Sequence, residues 1–328
     1  MADIPDPDTL VPQAAREAIL AWYTASGRKL AFRATTDPYA VLVSELMAQQ
    51  TQASRAAEAW TAWTARWPTV GDLAAAPLSE VLRAWAGLGY NRRALALHRA
   101  AQAIVAEHGG RVPADVEELG RLPGVGPYTA RAVAAIAFDQ PVGAVDTNVR
   151  RVLGRMAVGG TGAFKGRTAQ ALADAVVPRD AAAAWTHALM DLGALLCAPR
   201  SPSCGACPAA RWCRYAAGDR SGEAAQPAAR RPGPATPFPA TTRWLRGRVL
   251  RRAREAPDGA WVVFDGAIGA HPATAVREAV LALAREGLLE ARETADAIEA
   301  RLPAAAPGRS AGEGRTCGPT PPIPPRVG

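Results

Sequence analysis

The chain of 328 residues has only two lysines, Lys29 and Lys165, among 38 basic residues, so nearly all of its positive charge is guanidinium. No apolar run reaches the roughly 18 residues of a membrane span. The opening MADIPDPDTL is acidic, where a secretory leader is basic and then apolar. A soluble, cytoplasmic protein is therefore expected, and with no sign of an oligomer seam, a monomer. Strand-like alternation is missing from about Gln13 to Gly218, which excludes an extensive sheet there. No glycine-rich dinucleotide fingerprint follows a predicted strand, which argues against a redox enzyme of the dinucleotide-dependent kind.

What remains is long enough for two domains, and 49% hydrophobic residues suffice for packed cores. The formal charge of +8 suits an anionic polymer such as nucleic acid. Stretches rich in Ala, Leu, Glu and Arg are broken at WPTVGD, AGLGYN, EHGGRVPADV and LPGVGP, which predicts a mainly α fold over 14–216. Residues 217–242 are Pro/Ala/Gly-rich and read as a linker. Residues 243–302 read as a small α/β module, two helices flanking GAWVVFDGAIG, and AVLALAREGLLEARE resembles the last helix and wing of a winged helix. Six arginines between Arg243 and Arg254 offer either phosphate contacts or a solvated face. From Pro303 to the end a disordered tail is expected.

Four of the five cysteines, Cys197, Cys204, Cys207 and Cys213, fall within seventeen residues, and Cys317 lies in the tail. Thiolates so clustered can close a zinc site or hold an iron-sulfur cluster. Their spacing, Cys-x6-Cys-x2-Cys-x5-Cys, resembles that of endonuclease III-type DNA glycosylases, which implies a [4Fe-4S] cluster and makes Arg200, between the first two ligands, a DNA contact. Upstream, LPGVGPYTARAV packs Gly124, Val125 and Gly126 into a turn before an apolar helix. Both glycines can take positive φ, and bare backbone N–H groups at a helix N-terminus make an anion site. The turn resembles a helix-hairpin-helix, which grips DNA backbone without reading bases.

Asp146, in AVDTNVRRV, follows the hairpin, and alone would be an ordinary N-cap. Hairpin, aspartate and cysteine ladder occur in the order of the helix-hairpin-helix glycosylase superfamily. Nearer the start, SELMAQQTQ and GLGYN resemble motifs of the adenine DNA glycosylases of the MutY type, which remove adenine misincorporated opposite 8-oxoguanine. That resemblance covers roughly 14–216. It implies that Glu45 protonates adenine, that Asp146 stabilises the cationic sugar with help from Asn148, and that Gln50 and Tyr90 wedge into the duplex as the base is flipped. Tyr128 stands where strand-cleaving relatives carry a lysine nucleophile, so base removal without strand cleavage is expected. Three departures stand out: LAFR at Leu30 to Arg33 in place of Leu-Pro-Trp-Arg, Thr147 in place of glycine, and no recognisable Nudix-like C-terminal domain. A thymine-removing mismatch glycosylase and a non-catalytic iron-sulfur DNA-binding protein are the rival readings.

Overall fold

The computed structural model of the protein describes residues 6–162, 164–222, 236–294 and 297–304. Cys317, nearly all of the expected tail and the middle of 217–242 lie outside the described residues. Helices in chain order are α1 (Pro7–Leu10), α2 (Gln13–Ser26), α3 (Pro38–Ala48), α4 (Ala53–Arg66), α5 (Val70–Ala75), α6 (Leu78–Ala84) and α7 (Arg92–Glu107). Then come α8 (Val116–Arg121), α9 (Pro127–Phe138), α10 (Thr147–Val158), α11 (Gly166–Ala175) and α12 (Ala182–Asp191). The last two are α13 (Thr242–Glu255) and α14 (Ala273–Arg285), interleaved with strands β1 (Val262–Phe264), β2 (Glu290–Glu293) and β3 (Ile298–Arg301). The fold is mainly helical, as expected, and the small sheet lies wholly in the C-terminal module.

Helix α3 is the centre of the first core. Asp37 caps it, its Oδ1 accepting from the Ala40 N–H at 2.7 Å, and Pro38 fits the first turn, where its missing N–H costs nothing. Every residue from Tyr39 to Met47 is buried. Apolar side chains such as Leu42 and Leu46 each contribute about 1.5–3 kcal/mol when removed from water, which tethers the whole helix and with it Glu45. Around α3 pack Trp63, Trp67 and Trp85, with Trp63 edge-on to the other two at ring distances of 4.6 and 5.5 Å.

A second core joins the start of the helical region to its end. Ile19 and Ala15 of α2 pack with Val152, Leu153, Trp185 and Leu189 from α10 and α12. The chain thus returns to its beginning, and α9 and α10 run where the two cores meet: Ala134 and Ile136 belong to the first, Ala135 and Val149 to the second.

The C-terminal module continues the first core, with Leu245, Val249, Val280 and Ile298 in the same cluster as Leu82 and Leu95. Its antiparallel sheet has the order β1-β3-β2, with Val263 opposite Glu299 and Ala291 opposite Ala300. The helix followed by two hairpin strands matches the expected helix and wing. Arg83 of α6 fastens the module by reaching the carbonyls of Arg254 and Ala256 and the Asp258 carboxylate at 2.8 Å.

Candidate active site

Glu45 lies inside α3, 9% exposed, and a carboxylate deprived of water resists ionisation. Burial pushes its carboxyl up to about 7; the Tyr128 hydroxyl and the Arg33 charge pull it down, while Asp146 adds to the rise. Tyr128, on the first turn of α9, sets its hydroxyl against Glu45 and lies 3.9 Å from Met190 Sδ. Burial, reinforced by Glu45 and Asp146, holds that hydroxyl well above its ordinary pKa, so it stays a neutral donor. The structure therefore gathers Glu45, Tyr128 and Asp146 into one electrostatically coupled group.

Asp146 is indeed the N-cap of α10: its Oδ1 accepts from the Val149 N–H at 2.6 Å. Its other oxygen accepts from Asn148 Nδ2 at 3.0 Å, so capping and positioning coexist in one side chain. Asn148 is itself held, its Oδ1 accepting from Arg151 Nη2 at 2.7 Å. Arg151 donates onward to the carbonyls of Gly193 and Cys197, both at 2.6 Å. A Cβ at Gly193 would come within 2.6 Å of the Asn148 Cβ, so only glycine allows the π-helical turn Leu192–Leu196 so near. Sequence reading missed Arg151 and Gly193, because their partners lie some forty residues away.

The hairpin turn differs in detail from its expected form. Gly124 has φ +78°, but Gly126 is extended at φ −88° as the N-cap of α9. The Val125 side chain is buried, and its N–H donates to the Leu122 carbonyl at 3.1 Å, so the turn itself uses that donor. Gly124 is needed twice over, since a Cβ there would also lie 2.5 Å from the Ala96 Cβ of α7. Gly126 thus opens α9, and Val125 is the residue of the three whose N–H the turn itself engages.

Gln50 and Tyr90 are two of the three non-glycine residues with positive φ among the described residues, at +52° and +44°. Such backbone costs about 1–3 kcal/mol and persists only where its surroundings fix it. Arg93 fixes both. Its guanidinium donates to the carbonyls of Leu46 and Met47 at 2.8 and 3.0 Å on one side, and to those of Leu88 and Gly89 at 2.9 and 3.2 Å on the other. Gln50 and the 44%-exposed Tyr90 stand out from this clasp, while Gln49 instead donates to Thr129 Oγ1 at 3.1 Å. Nothing in the local pattern of GLGYNRR singles out Arg93 as that clasp.

A buried ion cluster lies beside the acid. Asp191, fully buried, accepts from Arg28 and Arg33 at 2.6–2.8 Å. Burial pulls its pKa up, but those hydrogen bonds outweigh it and hold the carboxyl below its ordinary value. His187, on the same helix, is pushed down to about 3 by burial and the Arg33 charge, so it is neutral. The altered LAFR stretch keeps this role for Arg33, and Phe32 fills the core beside Trp60. A cavity of about 520 Å³ opens along Tyr23, Arg28, Leu30 and Arg33; neither Glu45 nor Asp146 lines it.

All four cysteines of the ladder are outside any disulfide and line one small cavity of about 20 Å³ with Arg155 and Tyr215. Among the described residues no three Cys, His, Asp or Glu stand as they would around a single metal ion. Arg155, 3% exposed, donates to Cys197 Sγ at 3.3 Å and to the carbonyls of Ala198 and Pro199 at 2.8 Å. A buried guanidinium against soft sulfur donors fits an anionic thiolate-ligated group. Arg200 is exposed on the same loop.

Two helical cores with a hairpin, an aspartate-capped helix and a buried acid at their junction define a base-excision DNA glycosylase of the helix-hairpin-helix class. Residues 43–178 match the family model of the HhH-GPD superfamily base excision DNA repair proteins. A thermostable thymine-DNA glycosylase superposes with a TM-score of 0.58 at 30% identity, over 62% of this chain and 95% of that one. An endonuclease III–DNA covalent intermediate, at 24% identity and TM-score 0.53 over 62% and 94%, shares the fold. The adenine DNA glycosylase of Mycobacterium tuberculosis H37Rv is 42% identical over 272 residues, 79% of this chain and 88% of that protein. The human adenine DNA glycosylase is 42% identical over 217 residues, 61% and 39% of the two chains. This chain belongs to the adenine DNA glycosylase family.

Proposed function

We propose that this DNA N-glycosylase of base excision repair removes adenine mispaired with 8-oxoguanine or guanine and leaves the strand uncut. The observation that carries the reading is Glu45: a carboxyl held near pKa 7 keeps a proton at neutral pH, as a purine leaving group requires. With adenine flipped out of the stack, Glu45 gives its proton to the base. Tyr128, a neutral donor against Glu45, holds that carboxyl in place. As the glycosidic bond breaks, the sugar gains positive charge, and the Asp146 carboxylate, fixed by Val149 N–H and Asn148, stabilises it without moving. Lys29 and Lys165 are exposed and are not among the charged groups acting on Glu45 or Tyr128, so no amine is poised to attack the sugar. Gln50 and Tyr90 fill the gap left by the flipped base, the backbone at Gly124 and Gly126 grips phosphate, and Arg200 adds a backbone contact.

Cys197, Cys204, Cys207 and Cys213 would hold a [4Fe-4S] cluster. Bound there, it would cross-link the loop that carries Arg200 and the Cys197 carbonyl, to which Arg151 donates. The reading places the protein in the cytoplasm as a monomer; no helix of the described residues is long and apolar enough to cross a membrane.

Labelled duplexes carrying adenine opposite 8-oxoguanine, adenine opposite guanine or thymine opposite guanine, treated with alkali after incubation, test this reading. Breaks at the two adenine substrates, abolished in Asp146→Asn, are expected. Breaks only at thymine would favour the reading that the thymine-DNA glycosylase likeness suggests. Tight binding with no breaks would favour a non-catalytic protein.

A further inference from the structure

A cavity of about 630 Å³ lies between the end of α6 and helix α13, and neither the excision chemistry nor any DNA contact assigned above uses it. Arg83 and Gly87 stand on one side; Gly247, Arg251, Arg254 and Glu255 stand on the other. That is a volume in which small ligands bind. Three guanidiniums meet one carboxylate here, so the existing ion pairs decide what the cavity still lacks. Arg83 is fully engaged, donating to the carbonyls of Arg254 and Ala256 and to the Asp258 carboxylate. Arg251 spends its Nε on Glu255 at 2.6 Å, and its two Nη groups have no partner among the described residues. Arg254 has no carboxylate partner among the described residues.

Arg254 is half-buried, its Nη2 donates to Asn91 Oδ1 at 2.5 Å, and its Nε is out of solvent with no acceptor. A guanidinium withdrawn from water needs a counter-charge, and burial without one pushes Arg254 below its ordinary pKa. Gly247 is the second anomaly. Glycine weakens a helix interior and is tolerated where something approaches closely. Yet a Cβ at Gly247, or at Gly87 on the α6 side, would meet nothing within 4 Å. One residue of the cavity lacks an anion, and another leaves room for it.

We propose that this cavity binds a small phosphate-bearing anion, inorganic phosphate or the phosphate end of a nucleotide, with the guanidiniums of Arg251 and Arg254 as its donors. A guanidinium matches phosphate in shape and charge, and the one cation in surplus here matches a single phosphate group. None of Gln50, Tyr90, Gly124, Gly126 and Arg200 lines the cavity, which sets it apart from the residues assigned to DNA. Because α6 and α13 each supply a wall, an anion bound between them fastens the C-terminal module to the helical fold. This role is independent of which base the enzyme removes.

The test titrates the full-length protein with sodium phosphate by calorimetry, at constant ionic strength in chloride. One phosphate per chain should bind with a dissociation constant on the order of 1 mM or below, and about ten times that concentration should raise the melting midpoint by about 3 °C. Arg254→Met should lower the affinity about tenfold or more, the worth of one charge-assisted hydrogen bond. Gly247→Leu removes no charge, favours the helix and fills the cavity, and it should lower the affinity as much. Melting midpoints in chloride alone show that both variants fold. Arg252→Ala, exposed on the same helix outside the cavity, should change the affinity less than about twofold, because distant exposed charges are screened. Absence of saturable binding, or wild-type affinity in either cavity variant, overturns the proposal. An equal loss in Arg252→Ala also overturns it, since it would reveal only diffuse attraction to a basic surface. So does duplex affinity that falls in Gly247→Leu when phosphate itself does not bind, which would assign the cavity to the DNA backbone.

Discussion

Helices α3 and α13 present side chains near the Gln50 and Tyr90 loops under opposite physical rules. Helix α3 is buried from Tyr39 to Met47 and carries one acid; α13 buries Leu245, Val249, Leu250 and Ala253, displays Arg243, Arg248, Arg251 and Arg252, and turns Arg246 and Arg254 partly inward. In the dry helix a single charge is costly, so its proton is retained near neutral pH and available for chemistry. In the wet helix the exposed charges are cheap, whereas burial pushes the half-buried Arg254 down to about 10. The two helices are thus set apart by solvent access: one holds a single charge out of water, the other leaves most of its charges in it.

The largest effect should come from the dry side. Glu45→Gln and Asp146→Asn should each slow single-turnover adenine excision by about 10³-fold or more, roughly 4 kcal/mol of barrier, while duplex affinity changes little. Excision by a Glu45→Gln variant at the wild-type rate would erase the distinction between the helices.

Stability gives the next largest effect. A folded-state pKa of about 7 against the ordinary 4.5 means that the folded protein holds the extra proton between those values. The contribution of Glu45 is therefore full below pH 4.5 and lost as pH rises through 7, by about 3 kcal/mol. Glu45→Gln should match the wild type in urea melts at pH 4.5 and exceed it by about that amount at pH 8.

Much of the dry site was legible in the sequence. The SELMAQQTQ stretch, the hairpin and the cysteine ladder are continuous, so residue order alone carries them. The supports of the site were not legible, because they are made at long range. Asp191 meets Arg28 and Arg33 across about 160 residues, and Arg93 joins two loops through carbonyls that every residue possesses. Nor could spacing tell that Gly126 is extended while Gly124 is left-handed and packed close to Ala96. On the wet helix the six arginines were visible, but their division into paired and unpaired depended on Glu286 and Asn91, far off in the chain.

Smaller effects sharpen the contrast. Gly124→Ala combines positive φ with a 2.5 Å clash and should cost about 2 kcal/mol in thermal melts and weaken DNA binding with little sequence preference. Arg200→Ala should weaken duplex binding only a few-fold and lower the slope of log affinity against log salt by about one, as befits an exposed phosphate contact.

The pH dependence of single-turnover adenine excision from an adenine:8-oxoguanine duplex tests the central claim most directly. With Glu45 as the acid, the rate should be level below about pH 7 and fall about tenfold per pH unit above it, a limb that Glu45→Gln abolishes together with most of the rate. A wild-type rate that stays level to pH 9, or the same alkaline limb in Glu45→Gln, would contradict it.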